Sequence, residues 1–437
     1  MLLTFKGGIH PPENKHITEE LEFVDLAPPG ICFVPLQQHI GAPSNPVVNI
    51  GDTVVQGQLI AGASGFVSAN VHAPVSGRVI EIVAVPTVYQ TQMCIAIEYD
   101  SEMDGHVIPD TTPDTDSMSA ADIINAIREA GIVGLGGAAF PTAVKLSPPP
   151  EKKIDVLVVN GAECEPYLTV DDVLMRTYPN ELIEGIRVTL KALGLNRAVI
   201  GIEDNKSGAV AAMRSALSEV NPDVTIEVIP LKTKYPQGAE KQLIYSTLRR
   251  VVPSRGLPMD VGVIVQNIGT IYSIYEALYR GKPLYERFVT VSGAMIKRPG
   301  NYRIKIGTPL SDVAEQCGGL KGDPAKIVIG GPMCGISVHT MEMPVVKGTS
   351  GILFLSEDEV SLEDFSPCIR CGKCVRKCPV GLVPCDIGNA VENGKIEQTE
   401  NLNPYDCIMC GSCTYVCPSN RPLSHFIKIA QQRLKKR

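Results

Sequence analysis

Buried strands and amphipathic helices alternate along the middle of the chain. Apolar runs that predict buried strands stand at Ile154–Val159, Ala198–Ile202, Val224–Ile229 and Val261–Val265. Helical spacing of apolar residues predicts helices over 179–193, 206–219, 238–250 and 270–280. This alternation is typical of a doubly wound, Rossmann-like α/β domain with a parallel sheet. Ligands of such sheets bind beyond the carboxyl ends of the strands.

The sequence patterns before and after this α/β domain predict a multidomain chain of α/β and β units. Residues 1–100 have short apolar runs broken by Pro and Gly, which predict a β domain. Residues 101–119 are polar and proline-broken, as in a linker, and Ser119 with Asp122 predicts the first helix of the α/β domain. The predicted units are the linker 101–119, the α/β domain 120–285, a β-grasp unit 286–345, a connector 346–366 and a C-terminal domain 367–437.

The first domain has a recognisable pattern of its own. Residues 47–58 and 71–80 resemble the two halves of a biotinyl- or lipoyl-type β-sandwich. A carrier domain of that type needs an exposed lysine at its hairpin tip, and residues 63–70 contain none. We therefore expect a lipoyl-like β-sandwich that serves as a scaffold and carries no swinging cofactor.

Two cysteine motifs of equal spacing mark the C-terminal domain. Both read C-x2-C-x2-C-x3-C-P, through Cys368, Cys371, Cys374, Cys378, Cys407, Cys410, Cys413 and Cys417. Proteins with two 4Fe-4S clusters have this spacing, and the fourth cysteine of each motif binds the other cluster. The expected sets are Cys368, Cys371 and Cys374 with Cys417, and Cys407, Cys410 and Cys413 with Cys378. Zinc is the alternative, although its sites normally use two C-x2-C pairs.

Composition narrows the class of protein. Hydrophobic residues make up 44% and charged residues 20%, as in globular proteins, and the net charge of −7 argues against nucleic acid as the main partner. No apolar run approaches the ~18 residues of a membrane span, and the N-terminus has no signal-peptide pattern. In a reducing compartment we expect the remaining cysteines to be small buried hydrophobes: Cys32, Cys94, Cys164, Cys317, Cys334 and Cys385.

A glycine-rich segment, residues 131–142 (the glycine loop), follows the first predicted helix. Gly134 to Ala139 matches G-x-G-x-x-A, but the dinucleotide fingerprint must follow a strand and open a helix, and this loop follows a helix. Glycines nevertheless let backbone N–H groups approach a phosphate or a flat ring, with a structural turn as the alternative. We expect the strand-end loops 160–166, 235–241 and 266–270 to converge beside it around a polar cofactor.

These motifs resemble two related families. The glycine loop through Phe140–Thr142, the loop Asn160–Pro166 and the pair Asp171–Asp172 are similar to the FMN- and NADH-binding flavoprotein subunit of respiratory complex I. The β-grasp unit after the α/β domain matches that subunit too. The segment Phe5–Glu13, the lipoyl-like domain and the paired cysteine motifs are similar to the C subunit of Rnf electron-transport complexes. This second resemblance covers essentially the whole chain.

The Rnf resemblance implies a function. It implies a peripheral subunit on the cytoplasmic face of a membrane complex that couples electron transfer between ferredoxin and NAD+ to sodium or proton pumping. Hydride from NADH would pass to FMN, and single electrons through two 4Fe-4S clusters to another subunit. The expected partners are NAD(H) and the other Rnf subunits, including membrane subunits and a ferredoxin-like subunit. A soluble cobalamin reductase and an iron–sulfur adaptor without flavin are the alternatives.

The resemblance also implies site residues by position. Those expected to bind FMN or NADH are Gly134, Gly136, Gly137, Lys145, Asn160, Glu163, Glu240, Asn267 and Thr270. Among them Lys145 binds FMN, and Glu163 lies near the nicotinamide as the catalytic residue. The chain departs from the complex I pattern at Ala162, where that family has Asp, at Cys164, where it has Gly, and at Ala239, where it has Glu.

Overall fold

The N-terminal region folds as a β-sandwich. The structure is a computed structural model that describes residues 2–435 apart from residues 89, 104, 106–113, 220–223 and 362. Its first strands are β1 (Phe23–Asp25), β2 (Ile31–Pro35), β3 (Asn45–Pro46), β4 (Thr53–Val54), β5 (Leu59–Gly62), β6 (Val71–His72), β7 (Gly77–Pro86) and β8 (Thr91–Tyr99). One antiparallel sheet has the order β2–β8–β7–β4 and another β3–β5–β6. Val34, Ile60, Val79, Ile95 and Ile97 are among their shared buried core.

The middle of the chain forms a parallel α/β unit. Its elements are α1 (Ala120–Glu129), α2 (Thr142–Lys145), β9 (Val156–Gly161), α3 (Val170–Thr177), α4 (Pro179–Leu193), β10 (Arg197–Glu203), α5 (Ser207–Glu219), β11 (Thr225–Leu231), α6 (Glu240–Leu248), β12 (Val263–Asn267) and α7 (Ile268–Arg280). The sheet has the order β11–β10–β9–β12, and all its neighbours are parallel. The chain runs outward from β9 to β11 and returns to the other side of β9. A crevice for a ligand is expected where the order reverses.

The predicted fold class is confirmed, and most element bounds in this unit agree closely. Helix α4 coincides with the prediction 179–193. Helix α1 begins where Ser119 and Asp122 predict it, with a capping box in which the two side chains accept hydrogen bonds from each other's backbone N–H groups. The prediction lacks α3, because its 8 residues offer only two turns of periodic signal. Residues 104 and 106–113, about half of the predicted linker 101–119, lie outside the described residues.

The next sheet combines distant parts of the chain. Its further elements are β13 (Glu286–Ser292), β14 (Gly300–Lys305), α8 (Leu310–Gln316), β15 (Lys326–Ile329), β16 (Ile336–Val338) and β17 (Gly351–Leu355). The strand order is β1–β14–β13–β17–β15–β16, so a strand from the first predicted domain is its edge. Strand β17 lies inside the region predicted as a connector. It is central and buried on both faces, so it lacks the alternation that marks a half-exposed strand.

The C-terminal domain is helical. Its helices are α9 (Lys373–Lys377), α10 (Pro384–Glu392), α11 (Ser412–Tyr415) and α12 (Leu423–Lys435). Short 3-10 segments lie at Lys15–Ile17, Pro258–Val261, Glu357–Glu359, Ile396–Leu402 and Pro404–Asp406. Helices α10 and α12 pack through Ile387, Leu423, Phe426 and Ile427. None of the helices in the described part of the chain is long and apolar enough to cross a bilayer.

A buried lysine joins the N-terminal sandwich to the α/β unit. Lys347 is fully buried, and its Nζ donates to the Asn70 carbonyl oxygen at 2.6 Å and to the Gly131 carbonyl oxygen at 2.7 Å. Burial lowers the pKa of Lys347 from 10.5 to about 7. The unfolded chain therefore binds more protons than the folded chain between these two values, so this lysine makes stability rise with pH in that window.

Replacing Lys347 with Met should remove this pH dependence. Between pH 7 and pH 9 the lysine should raise the free energy of unfolding of the wild-type protein by about 2 kcal/mol. Denaturant unfolding at both pH values measures the effect, and Lys321→Met is the matched control, because Lys321 donates to a carbonyl at the exposed surface. An equal rise in wild type and Lys347→Met would contradict the assignment.

Candidate functional site

The glycine loop is held at its centre by two elements of the surrounding fold. The Leu135 N–H donates to Thr270 Oγ1 at 2.9 Å, and Thr270 is fully buried in the first turn of α7. The Arg287 guanidinium of β13 donates to the Leu135 carbonyl oxygen at 3.3 Å. Thr270 is one of the residues predicted to bind FMN or NADH. In the structure its hydroxyl oxygen accepts a hydrogen bond from the glycine loop and so holds that loop in place.

The loop has one face against the sheet edge and one face open. A Cβ added at Gly136 would lie 3.4 Å from Asn267 Cβ, so the backbone here packs closely on the end of β12. Gly137 has φ +102°, and a Cβ there would meet no atom within 4 Å. Because side chains are absent from this open face, its backbone can approach a flat ring or a phosphate.

The ends of β9 and β12 lie side by side. Asn160 and Asn267 are partners in the parallel register. Asn267 Oδ1 accepts from the Gly269 N–H at 2.9 Å and its Nδ2 donates to Asp171 at 2.8 Å. Asn160 Nδ2 donates to the Gly238 carbonyl oxygen at 2.8 Å. The structure therefore brings the predicted loops together at the point where the strand order reverses.

Glu163 contacts the start of a helix. It has φ +46°, and its carboxylate accepts from the Asp171 N–H at 2.6 Å and from the Asp172 N–H at 3.3 Å, in the first turn of α3. Burial raises its pKa to about 7, while Lys15 acts in the opposite direction. In this arrangement Glu163 positions α3, and its catalytic role stays a prediction.

Lys145 and Glu240 form an ion pair at the edge of the crevice. Lys145 Nζ lies 3.0 Å from Glu240 Oε2, and both side chains are partly exposed. An exposed pair of this kind contributes under about 1 kcal/mol, so an anionic ligand can replace the carboxylate at little cost.

Two buried lysines behind the loop 160–166 have no local signal in the sequence. Lys15 Nζ donates to the carbonyl oxygens of Glu163 at 2.9 Å and Glu165 at 3.0 Å, and also to that of Leu168. Lys206 Nζ lies 3.4 Å from Glu203 Oε2, with both side chains almost fully buried. Lys15 comes from the N-terminal segment, so this segment shapes a loop about 150 residues further along the chain.

Tyr235 links the crevice to the C-terminal domain. Its hydroxyl lies 2.8 Å from the Cys410 carbonyl oxygen and 3.2 Å from Glu165 Oε1. Glu165 also accepts from the backbone N–H groups of Met333 at 3.0 Å and Cys334 at 2.9 Å. Loops from the α/β unit, the second sheet and the C-terminal domain therefore meet around one tyrosine.

The eight motif cysteines divide between two cavities. The first cavity is lined by Cys368, Cys371, Cys374 and Cys417, with Cys385 beside them. The second cavity is lined by Cys378, Cys407, Cys410 and Cys413. Within the described chain, no group of three or more His, Cys, Asp or Glu side chains is arranged to hold a single metal ion. Four cysteine thiols around each cavity are the ligand set of a 4Fe-4S cluster.

The two motifs repeat the same backbone turn. Arg370 and Met409 have φ +56° and +55°, and their N–H groups donate to the sulfur atoms of Cys368 and Cys407, both at 3.4 Å. The Leu382 N–H donates to Cys378 at 3.3 Å. Hydrogen bonds of this kind stabilise a thiolate and help to set the potential of a bound cluster.

The scattered cysteines do not all behave as predicted. Cys32, Cys94 and Cys317 are buried, as expected for small hydrophobes. Cys334 is exposed and lies 2.9 Å from the Tyr235 hydroxyl, and Cys164 accepts from the Gly238 N–H at 3.2 Å. The expectation of small buried hydrophobes is therefore wrong for Cys334, and Cys164 and Cys385 are only partly buried.

Family models match the chain in four consecutive regions. They are the RnfC barrel sandwich hybrid domain at residues 3–102, the Nuo51 FMN-binding domain at 127–276, the SLBB domain at 288–337 and a 4Fe-4S dicluster domain at 361–418. The order of these matches is the order of the structural units along the chain.

Three curated relatives match over most of their length. The chain is 44% identical to the C subunit of the Na(+)-translocating ferredoxin:NAD(+) oxidoreductase complex of Acetobacterium woodii, covering 99% of this chain and 97% of the relative. It is 45% identical to the C subunit of the proton-translocating ferredoxin:NAD(+) oxidoreductase complex of Clostridium ljungdahlii, over 88% and 83%. It is 42% identical to the C subunit of the ion-translocating oxidoreductase complex of Rhodobacter capsulatus, over 99% and 84%.

A solved structure shares the fold. The crystal structure of an NAD+-reducing [NiFe]-hydrogenase in the H2-reduced state aligns with a TM-score of 0.50 and 21% identity, over 75% of this chain and 69% of that chain. At this identity the likeness concerns the fold alone.

Proposed function

Because this chain belongs to the RnfC family, the C subunits of ion-translocating ferredoxin:NAD(+) oxidoreductase (Rnf) complexes, we propose that it is the subunit that exchanges electrons with NAD(H). The glycine loop and the strand-end loops would hold FMN, and the two cysteine cavities would hold 4Fe-4S clusters. The observation that carries this proposal is the junction at Tyr235, where the crevice of the α/β unit meets the second cysteine cavity.

The residues of the crevice fit a flavin nucleotide in two ways. The open face at Gly137, with Gly134 and Gly136 on either side of Leu135, suits a flat ring, and Lys145 supplies a cation for a phosphate. Asn160, Glu163, Asn267 and Thr270 would act largely through the backbone that they position, and Glu240 through its pair with Lys145. When bound, FMN supplies the conversion between a two-electron hydride and single electrons.

The other subunits of the complex are partners of this chain. We further propose a peripheral position on the cytoplasmic face of a membrane, against membrane subunits and a ferredoxin-like subunit. The coupling ion is a property of the whole complex. The sodium-translocating and proton-translocating relatives are 44% and 45% identical to this chain, so overall identity favours neither ion.

Cofactor content and acceptor choice test the proposal. Protein reconstituted without oxygen should contain about eight iron atoms per chain and release FMN on acid denaturation. It should reduce an artificial electron acceptor with NADH. Iron without flavin would identify an electron adaptor instead, and rapid NADH-dependent reduction of a corrinoid would identify a cobalamin reductase.

Substitution of Gly137 by Ala should reduce FMN retention roughly tenfold, because the new Cβ would occupy the open face of the glycine loop. The substitution also strains the backbone at positive φ by about 1–2 kcal/mol. Gly194→Ala is the matched control, since Gly194 ends α4 with φ +66° and has the same open space around it. Flavin content after gel filtration is the measurement. Equal flavin loss in both variants would mean that strain, rather than contact with flavin, is responsible.

A further inference from the structure

The N-terminal sandwich contacts the glycine loop through two of its connecting segments, residues 39–44 and 63–70 (the sandwich rim). The sequence predicts this domain as a scaffold without a swinging cofactor. Resting on the proposed function, we infer that the sandwich rim is also a wall of the nucleotide site and receives the adenosine half of NAD(H). Ile40 and Phe66 are the residues that contact the adenine ring.

The glycine loop is built into the sandwich on one side. Val133, Leu135 and Ala139 are buried in the hydrophobic core of the sandwich. Between the last two of these, residues 136–138 are exposed. The loop therefore has one side inside the sandwich and an exposed turn next to it, and the sandwich determines where that exposed turn lies.

Both ends of the loop are also held by the sandwich rim. After the exposed turn, the Ile40 N–H donates to the Ala139 carbonyl oxygen at 3.2 Å. At the start of the loop, Lys347 Nζ joins the carbonyl oxygens of Asn70 and Gly131. A Cβ added at Gly131 would clash with that Asn70 carbonyl oxygen, so the two backbones pack tightly here. The rim thus lies against the loop on both sides of its exposed turn.

The two segments of the sandwich rim form one unit. The Ala42 N–H donates to the Val67 carbonyl oxygen at 3.0 Å. Gly41 has φ +117°, and a Cβ there would clash with the same carbonyl oxygen, so this close approach requires glycine. Phe66 is therefore one residue from a fixed contact, beside the segment that contains Ile40.

The sandwich rim presents apolar surface to solvent. Phe66 is 75% exposed, more than any other large apolar side chain in the described chain, and Ile40 is 54% exposed. The rim contains no Asp, Glu, Lys or Arg. An exposed aromatic ring is a stacking surface for a nucleic base, since every base has a flat π face. An uncharged apolar rim therefore suits a base and offers nothing to a phosphate.

The position of the rim selects the adenosine half of the dinucleotide. Hydride transfer requires the nicotinamide to lie on the flavin. The residues proposed to hold the flavin lie toward the strand ends, where Gly136 packs on Asn267 and Lys145 lies at the edge of the crevice. The rim contacts the loop at Ala139, beyond the exposed turn. A dinucleotide whose nicotinamide lies on the flavin thus extends across the turn, and its adenine reaches the rim.

Removal of the Phe66 ring should weaken the binding of the adenosine half alone. In Phe66→Ala holoprotein the KM for NADH and the dissociation constant of ADP-ribose should both rise roughly tenfold, because the stacking surface is lost. The kcat and the flavin content should stay at the wild-type level, since this contact is equal in the ground state and the transition state. Reduced nicotinamide mononucleotide, which lacks adenosine, should be oxidised equally by variant and wild type. Calorimetry measures ADP-ribose binding, and steady-state kinetics with an artificial acceptor measure the oxidation.

Three further variants frame this result. Phe66→Tyr keeps the ring and should bind both nucleotides as the wild type does. Ile40→Ala keeps the backbone N–H that holds the loop, and it should weaken ADP-ribose binding in the same direction as Phe66→Ala. Ile50→Ala is the matched control, because Ile50 is an exposed apolar residue of the same sandwich but lies outside the rim, in the turn before β4.

Unchanged ADP-ribose binding in both alanine variants of the rim would overturn the inference, even if these variants no longer assembled with other subunits. An equal rise in KM for NADH and for reduced nicotinamide mononucleotide would also overturn it, since the ring would then act on the nicotinamide half. Loss of flavin from Phe66→Ala would overturn it by placing the ring at the flavin. Wild-type holoprotein that does not oxidise NADH would instead refute the proposed function itself.

Discussion

Replacing Cys378 with Ala should remove the cluster bound by Cys407, Cys410 and Cys413, although Cys378 belongs to the other motif. In the structure Cys378 lines the second cavity, and the neighbouring Leu382 N–H donates to its sulfur. The first cavity keeps its four cysteines. We therefore expect iron to fall from about eight to about four atoms per chain, with the loss confined to one cluster.

Iron analysis and electron paramagnetic resonance of the reduced variant measure this loss. Cys385→Ala is the matched control, since Cys385 lines the first cavity but lies outside both motifs. It should retain both clusters. If Cys378→Ala instead eliminates the signal of the cluster held by Cys368, Cys371 and Cys374, the ligand sets are not crossed.

Replacing Lys15 with Met should loosen the flavin loop and destabilise the protein. Lys15 Nζ holds three backbone carbonyl groups, and it is one of the cations near the buried carboxylates of Glu163 and Glu203. Met fills a similar volume but donates no hydrogen bond, so these groups lose a charged partner. Disrupting a buried ionic arrangement of this kind costs about 3–5 kcal/mol.

Denaturant unfolding and flavin retention measure the two consequences of Lys15→Met separately. Lys6→Met is the control, because Lys6 lies in the same N-terminal segment with an exposed side chain. The Lys15 variant should lose flavin under conditions in which the Lys6 variant keeps it. Full flavin content together with wild-type stability would show that the loop does not depend on Lys15.

Local sequence patterns predict the parts of this fold that local chemistry determines. The buried strands of the α/β unit, the length of α4 and the capping box at Ser119 depend on near neighbours in the chain. The cysteine spacing likewise predicts which side chains line each cavity, because tight turns place the first three cysteines of a motif together.

Tertiary contacts explain what the sequence patterns do not reveal. Nothing near Lys15 indicates that its ammonium holds a loop about 150 residues away. The sequence gives no sign that the Glu163 side chain has a partner. In the fold its carboxylate accepts a hydrogen bond from the Asp171 N–H in the first turn of α3. Strand β1 pairs with β14 in a sheet formed mainly by residues 286–355. Because the two strands are distant in the chain, no local pattern indicates this pairing. The contacts of Tyr235 with Glu165 and Cys410 likewise exist only in the folded protein, where three loops meet around its hydroxyl.

The central claim is that electrons pass between NAD(H) and the cysteine cavities through the flavin crevice. The most direct measurement starts with chemically reduced holoprotein, freed of excess reductant, to which NAD+ is added. The account predicts NADH formation of about two molecules per chain, since two clusters hold one electron each and the flavin holds two. It also predicts that protein depleted of FMN, with its clusters intact, forms none. Flavin-depleted protein that forms NADH as fast as holoprotein, or holoprotein with all cofactors that forms none, would contradict the account.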